Sequence, residues 1–370
     1  MTTEISTPPE MVPAAEPPQP RRPRSTAAIV AAIVAILLAL TLVAASTIKV
    51  SYFTQAPGSA VALENLIDVE GADSFESEGE IFFTTVRLTG EISVLEYVLA
   101  LADSSVELRT SDEVLGGQTR DQKREQNLQL MDDSQDIATR VALDRLGHNV
   151  IVEAGALIQE VLPGSGSDGR LEPGDVVLEA EGLPILSSPQ LVEIIQGLRP
   201  GDTIRLVVER TGDVGASEIR DIEVVLGESE GRPQMGVAVS TWLDLVDLPF
   251  DVVIDTAAVG GPSAGLALTL AILDLLTAGE LTGGVEIATT GTIDVFGNVG
   301  PIGGAEQKAH AVRRAGIDVF LVPTLNLQEA LDGAGDDLEV IAVDTLDDAL
   351  RILLERGGVA TGLEQLQPAA

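Results

Sequence analysis

The 370-residue sequence has no cysteine, two histidines, and three lysines against nineteen arginines. Without cysteine there is no disulfide, no thiolate nucleophile and no cysteine metal site. No histidine cluster has metal-ligand spacing either, so no metal and no cofactor is expected. The chain contains no Gly-Lys pair, and so no phosphate-cradling loop of its own for ATP. Acidic residues outnumber basic ones 58 to 22, for a net charge of -36. That balance argues against nucleic acid as a partner and for a solvated acidic surface.

What is present begins with a tail, residues 1 to 24, rich in proline and without apolar periodicity, which is expected to be disordered. Ser25 to Ile48 then runs without a charge, and about 20 apolar residues suffice to cross a hydrocarbon core. Val43-Ala-Ala-Ser46 would also fit a signal-cleavage region, but the apolar stretch exceeds a signal core, so an uncleaved anchor is expected. Arg21, Arg22 and Arg24 precede it, and the positive-inside rule would keep residues 1 to 24 cytoplasmic and place the remainder outside.

The stretch that organises the chain is Val259-Gly-Gly-Pro-Ser-Ala-Gly-Leu266. A short apolar strand (Phe250 to Thr256) leads into Pro262, which suits a first helical position, and an apolar helix follows to Leu276. Ser263 therefore sits on a helix's first turn, where the dipole and free amides stabilise an oxyanion. The plain alternative is a capping serine. A nucleophile needs a base, and Lys308 is the only lysine beyond residue 123. Lysine can lose its proton where arginine cannot. On a helical wheel from Ala305 to Ala315, Lys308 shares an arc with Ala305, Ala309, Ala311, Val312 and Ala315. Burial there would lower its pKa. Glu306, Gln307, His310, Arg313 and Arg314 fill the solvent arc. The competing reading of Lys308 is a snorkelling surface residue.

Gly261-Pro-Ser-Ala-Gly265, Thr290-Gly-Thr-Ile-Asp294, Val299-Gly-Pro-Ile-Gly-Gly304 with Lys308 at its offset, and Arg314 to Pro323 together resemble the proteolytic domain of the Lon proteases over about residues 230 to 355. The resemblance implies Ser263 as nucleophile, Lys308 as its general base, Thr290 as a hydrogen-bond partner of the lysine, and Gly261, Pro262 and Ala264 in support. It departs where the family carries an acidic residue at the position of Gly260 and histidines near Ile254.

Gly155 to Ser165, Leu171-Glu-Pro-Gly-Asp175, Glu181-Gly-Leu-Pro184 and Leu198-Arg-Pro-Gly-Asp202 mark turns between short apolar strands, with a helix from Ser188 to Ile195. This stretch resembles a PDZ domain of the bacterial protease type, which adds a peptide as an extra strand. Gly147, Leu157 and Leu191 would line its peptide groove. Between the anchor and this module a strand (Ile81 to Leu88), a helix (Ser93 to Ala102) and a long polar-faced helix (Arg120 to Arg145) are expected, packing on the protease domain.

The expected fold is α+β: one transmembrane helix (25–48), a membrane-proximal α/β region (49–146), a PDZ-like β-barrel module (147–228), a Lon-type α/β domain (229–356) and a disordered tail (357–370). The expected function is a membrane-anchored, ATP-independent serine endopeptidase acting on unfolded or flexible chains and peptides, with room for a homo-oligomer. Two alternatives remain open. One is an inactive PDZ scaffold on the same fold. The other is an α/β-hydrolase in which Asp294 and His310 complete a triad with Ser263.

Overall fold

The computed structural model describes residues 26–211, 217–229, 231–257 and 259–361. The expected tail 1–24 with its three arginines, and residues 362–370, lie outside the described residues. Helix α1 (Thr26–Thr47) has 22 residues and none of them is buried. At 1.5 Å per residue it is about 33 Å long, enough for a hydrocarbon core of about 30 Å. It is the only helix among the described residues with that length and apolarity.

Three short-range signals set the next segment. Helices α2 (Val94–Ala100), α3 (Ser111–Leu115) and α4 (Arg120–Arg145) each open with a complete capping box, Ser93 with Glu96, Thr110 with Glu113 and Thr119 with Gln122. Each box satisfies two amides that a helix start leaves unbonded. Helix α4 has the limits read from sequence.

A mixed sheet of six strands carries the rest, in spatial order Glu339–Val343, Val319–Pro323, Ile287–Thr289, Ile81–Gly90, Tyr52–Ala62 and Glu107–Thr110. The first four are parallel, and 52–62 is antiparallel to both its neighbours. Residues 49–146 therefore do not pack on the C-terminal domain as the separate layer expected; they supply three of the six strands of its sheet. Ile81 and Phe83 face one core cluster while Phe82 packs against the other, so this strand needs cover on both faces. Val319 and Leu321 point to the first cluster, Phe320 and Val322 to the second. Helices α4, α6 (Gly265–Leu276) and α9 (Leu346–Glu355) close the first face, and α7 (Ala305–Ala315) with α8 (Leu327–Ala334) closes the second. Helix α6 is buried from Gly265 to Asp274, as its all-round apolar sequence requires.

Between α4 and the strand Asp251–Ile254 an antiparallel six-stranded module is inserted. Its main strands lie in the order Val237–Leu245, Ile151–Val161, Val176–Ala180, Thr203–Thr211 and Ser217–Val225. Helix α5 (Ser188–Gln196) buries Leu191 and Ile195 in its core. The limit drawn at residue 228 is too early. Val237–Leu245 pairs along the whole of 151–161, and Gly227 opens a small hairpin (Gly227–Ser229 with Arg232–Gln234) instead of ending the module. This last strand returns the chain to its entry point, where the Val246 N–H donates to Val150 O at 3.0 Å. Adjacent ends are what an insertion needs. Val359 and Ala360, expected in a disordered tail, instead pair with Gly279–Glu280.

Leu191 is fully buried, so it is a core residue of the module. Leu191→Ala should cost about 2–5 kcal/mol, read by calorimetry as a lowered transition of the module. A transition unchanged within a degree would contradict that placement.

Candidate active site

Ser263 lies on a 3₁₀ turn, Pro262–Ala264, that runs directly into α6. The turn is held from two sides. From α4, Asn127 O accepts the Gly261 N–H at 2.7 Å and Ser134 Oγ donates to Pro262 O at 3.2 Å. From the loop after strand 287–289, Thr290 Oγ1 and the Gly291 N–H both donate to Ser263 O at 3.0 Å, and Gly291 O accepts the Leu266 N–H at 3.1 Å. Gly261 has φ 99°, a conformation that side chains resist. At Gly260 an added Cβ would come within 2.9 Å of Asn127 Cβ and 3.0 Å of its backbone. The close pass of α4 explains a glycine where the family resemblance implies an acidic residue.

Lys308 comes from α7, on the opposite face of the sheet, and is 2 % exposed. Its Nζ lies 2.7 Å from Ser263 Oγ and 2.8 Å from Thr290 Oγ1. Burial lowers its pKa to about 7, against a smaller opposing pull from the Glu329 carboxylate. Glu329 accepts the Ala305 N–H at 2.7 Å and Asn326 Nδ2 at 3.2 Å. These bonds set the direction of the proton. Thr290 has committed its hydroxyl hydrogen to Ser263 O, so toward Lys308 it can only accept. A neutral amine therefore gives one N–H to Thr290 and can turn its lone pair to the Ser263 hydroxyl. Chemically, such a geometry can serve as a nucleophile, its base and a group that orients the base. Ser263 and Lys308 open on a cavity of about 400 Å³ whose walls include Thr84, Arg87 and Met131.

Of the sequence-derived residues, Ser263, Thr290 and Lys308 meet, and Gly261, Pro262 and Ala264 form the turn beneath them. The wheel for α7 needs correction. Gln307 is buried, not solvated, and bonds Gln55 at 3.1 Å, because α7 also packs on strand 52–62. Ala315 is exposed, and His310 is half-buried, 4.0 Å from Glu306. Asp294 accepts bonds from Phe296 and Asn298 in its own turn. The Ser-His-Asp arrangement is not assembled among the described residues.

The three groove positions do not converge. Gly147 sits in the turn after α4 and donates to Asp144 O, Leu157 is half-buried on strand 151–161, and Leu191 is in the core. Sequence reasoning missed Ser134 and Glu329. The spacing Asn326-x-x-Glu329 could have flagged a helix start, though not that this carboxylate would cap α7.

Residues 250–356 match the Lon protease (S16) C-terminal proteolytic domain family, and residues 113–220 match the PDZ domain family. The chain is 40 % identical over 107 residues to the Lon protease of Vibrio parahaemolyticus, covering 28 % of this chain and 13 % of that one. It is 33 % identical over 134 residues to the Lon protease of Rickettsia typhi, covering 35 % and 17 %. The chain thus spans less than a fifth of the length of these relatives. Among solved structures, the PDZ domain of an SdrC-like protein from Listeria innocua is similar at 21 % identity and TM-score 0.21, covering 23 % of this chain and 92 % of that one.

The lowered pKa has a thermodynamic consequence. Between pH 7 and roughly 10.5 the unfolded chain keeps a proton on Lys308 that the folded chain releases, so this site's contribution to stability rises with pH across that window. Lys308→Met should therefore be more stable than the wild type at pH 6 and lose its advantage by pH 10, as read from denaturant midpoints. A pH-independent difference would sink the idea of a neutral buried amine.

Proposed function

We propose that this chain, which carries a Lon-type proteolytic domain and a PDZ domain, is a serine endopeptidase whose nucleophile is Ser263 and whose general base is Lys308. The observation that carries the reading is the position of Lys308 Nζ between Ser263 Oγ and Thr290 Oγ1. Neutral Lys308 takes the Ser263 proton as Oγ attacks the peptide carbonyl carbon. The oxyanion develops at the N-terminal end of α6, where the helix dipole favours it. Collapse breaks the C–N bond, the departing amine takes the proton from Lys308, and an ester on Ser263 remains. Water, deprotonated by the same amine, then releases the acid product.

In this reading residues 49–146 and 250–361 form the protease domain, and 147–249 the PDZ module. Helix α1 anchors the protein with residues 1 to 24 in the cytoplasm. Substrates are flexible or unfolded chains, since the sequence offers no ATP loop to drive unfolding. The inactive-scaffold alternative is disfavoured by a complete dyad, and the hydrolase alternative by His310 facing Glu306 and Asp294 bonding within its own turn.

Peptide cleavage should rise with pH through about 7, because only the neutral amine can accept the proton. Ser263→Ala, Lys308→Ala and Lys308→Arg should each lower kcat by about two to four orders of magnitude, whereas His310→Ala should stay within a few-fold of the wild type. An active arginine variant would remove the mechanism, and loss of activity in the histidine variant alone would revive the triad. Removing residues 1–48 should leave a soluble enzyme with the same peptide kinetics; if that truncation still pellets with membranes, α1 is not the sole anchor.

A further inference from the structure

Two cavities meet at Gly260, and their charge sets them apart from the molecule around them. The one that holds Ser263 and Lys308 has Arg87 on its wall. Its neighbour, of about 300 Å³, is bounded by Arg120, Lys123 and Arg124 of α4 over an apolar floor that includes Phe53 and Leu128. No residue lining either cavity is acidic, although acids outnumber bases 58 to 22 in the chain. An acidic surface spread evenly would have placed several carboxylates here.

Two of these four cations are unspent. The Arg87 and Arg124 guanidinium groups are exposed and have no ion pair or hydrogen bond among the described residues. Lys123 Nζ donates only to the neutral Gln126 Oε1, at 3.0 Å. Arg120 pairs with Glu91 at 3.1 Å and lies over the Phe53 ring, 5.4 Å from its centroid. Like charges lining a cleft in a low-dielectric wall focus the field and draw ligands of opposite sign. A guanidinium accepts a carboxylate through paired N–H donors, and an apolar floor accommodates the methylene stem behind it.

We infer that the cavity of Arg120, Lys123 and Arg124 is a subsite for acidic side chains of a peptide running through Gly260 to Ser263, so that the preferred substrates are acidic segments. For what happens to the peptide this rests on the proteolytic reading; the binding preference does not. The apolar floor adds that an aliphatic or aromatic residue beside the acid fits better than a second charge.

The test uses the full chain in detergent carrying Ser263→Ala, with fluorescein-labelled, C-terminally amidated peptides that differ only in a Glu-Glu, Gln-Gln or Lys-Lys pair. Anisotropy at about 50 mM salt should give the Glu peptide a Kd about tenfold below that of the Gln peptide and further below that of the Lys peptide, with the differences collapsing near 0.5 M. Adding Lys123→Glu and Arg124→Glu should reverse the order, a gain for the Lys peptide that a merely destabilised protein would not produce. Equal affinities, or a preference untouched by the charge reversal, would overturn the subsite. A preference appearing only when the Gln peptide carries a free C-terminus would also overturn it, in favour of a terminal-carboxylate site. Wild-type chain with the same peptides bearing a fluorophore and quencher should cut the Glu peptide with the highest kcat/KM. Charge-selective binding without any cleavage would uphold the subsite and reject the protease.

Discussion

The short contact between Lys308 and Ser263 makes a demand on the whole domain, because its two side chains start on opposite faces of one sheet. Helix α6 carries the serine on the face closed by α4 and α9, and α7 carries the lysine on the other. They can meet only beyond the carboxyl end of a strand that stops between them. Strand 287–289 stops there, and the next residue, Thr290, bonds both partners. Open sheets place their ligand sites at such strand ends for the same reason. The approach is made close by small side chains. Ala305, Ala309 and Ala311 seat α7 in the core, and at Gly333 of α8 an added Cβ would come within 2.2 Å of Glu306 O.

The same contact explains why the first hundred residues of the globular part cannot be an accessory. Strands 52–62 and 81–90 form the floor under α7, and α4 holds the serine turn through Asn127 and Ser134. The inserted module begins where α4 ends, and Arg140 of that helix donates to Val246 O at 2.7 Å, where the chain leaves the module. One rigid helix thus touches both the serine turn and the module's exit. In the proposed enzyme the module is therefore attached to the catalytic turn by backbone geometry, in addition to whatever effective concentration a tethered peptide would gain.

Much of this was readable in the sequence, for identifiable reasons. Gly261-Pro-Ser marks a helix start by local chemistry, and Lys308, the only lysine beyond residue 123, stands out among arginines. Helix α4 announces itself by a long polar face from Arg120 to Arg145. The errors share a cause, which is contact between residues far apart in sequence. Gln307 reads as solvated until strand 52–62 places Gln55 beside it. Leu191 reads as a groove residue by its position on the helix from Ser188, yet it is on the buried stripe of that helix, which cannot line a groove. The strand Val237–Leu245 looked like the start of the next domain because the turn at Gly227 is a local signal, while its pairing with 151–161 spans some eighty residues.

The departure at Gly260 also bears on how the amine is tuned. A carboxylate beside a lysine favours the ammonium form and raises its pKa, while burial works the other way. Helix α4 leaves no room for a side chain at 260, so the carboxylate that remains to act on Lys308 is Glu329. Both oxygens of Glu329 are engaged, one with the Ala305 amide that opens α7 and the other with Asn326. Its charge is thus partly spent on the positive end of the helix that carries the lysine. Desolvation therefore prevails, and the amine reaches a pKa near neutrality without a second base beside it. The glycine that lets α4 grip the serine turn and the weak electrostatic hold on Lys308 are two results of one packing choice.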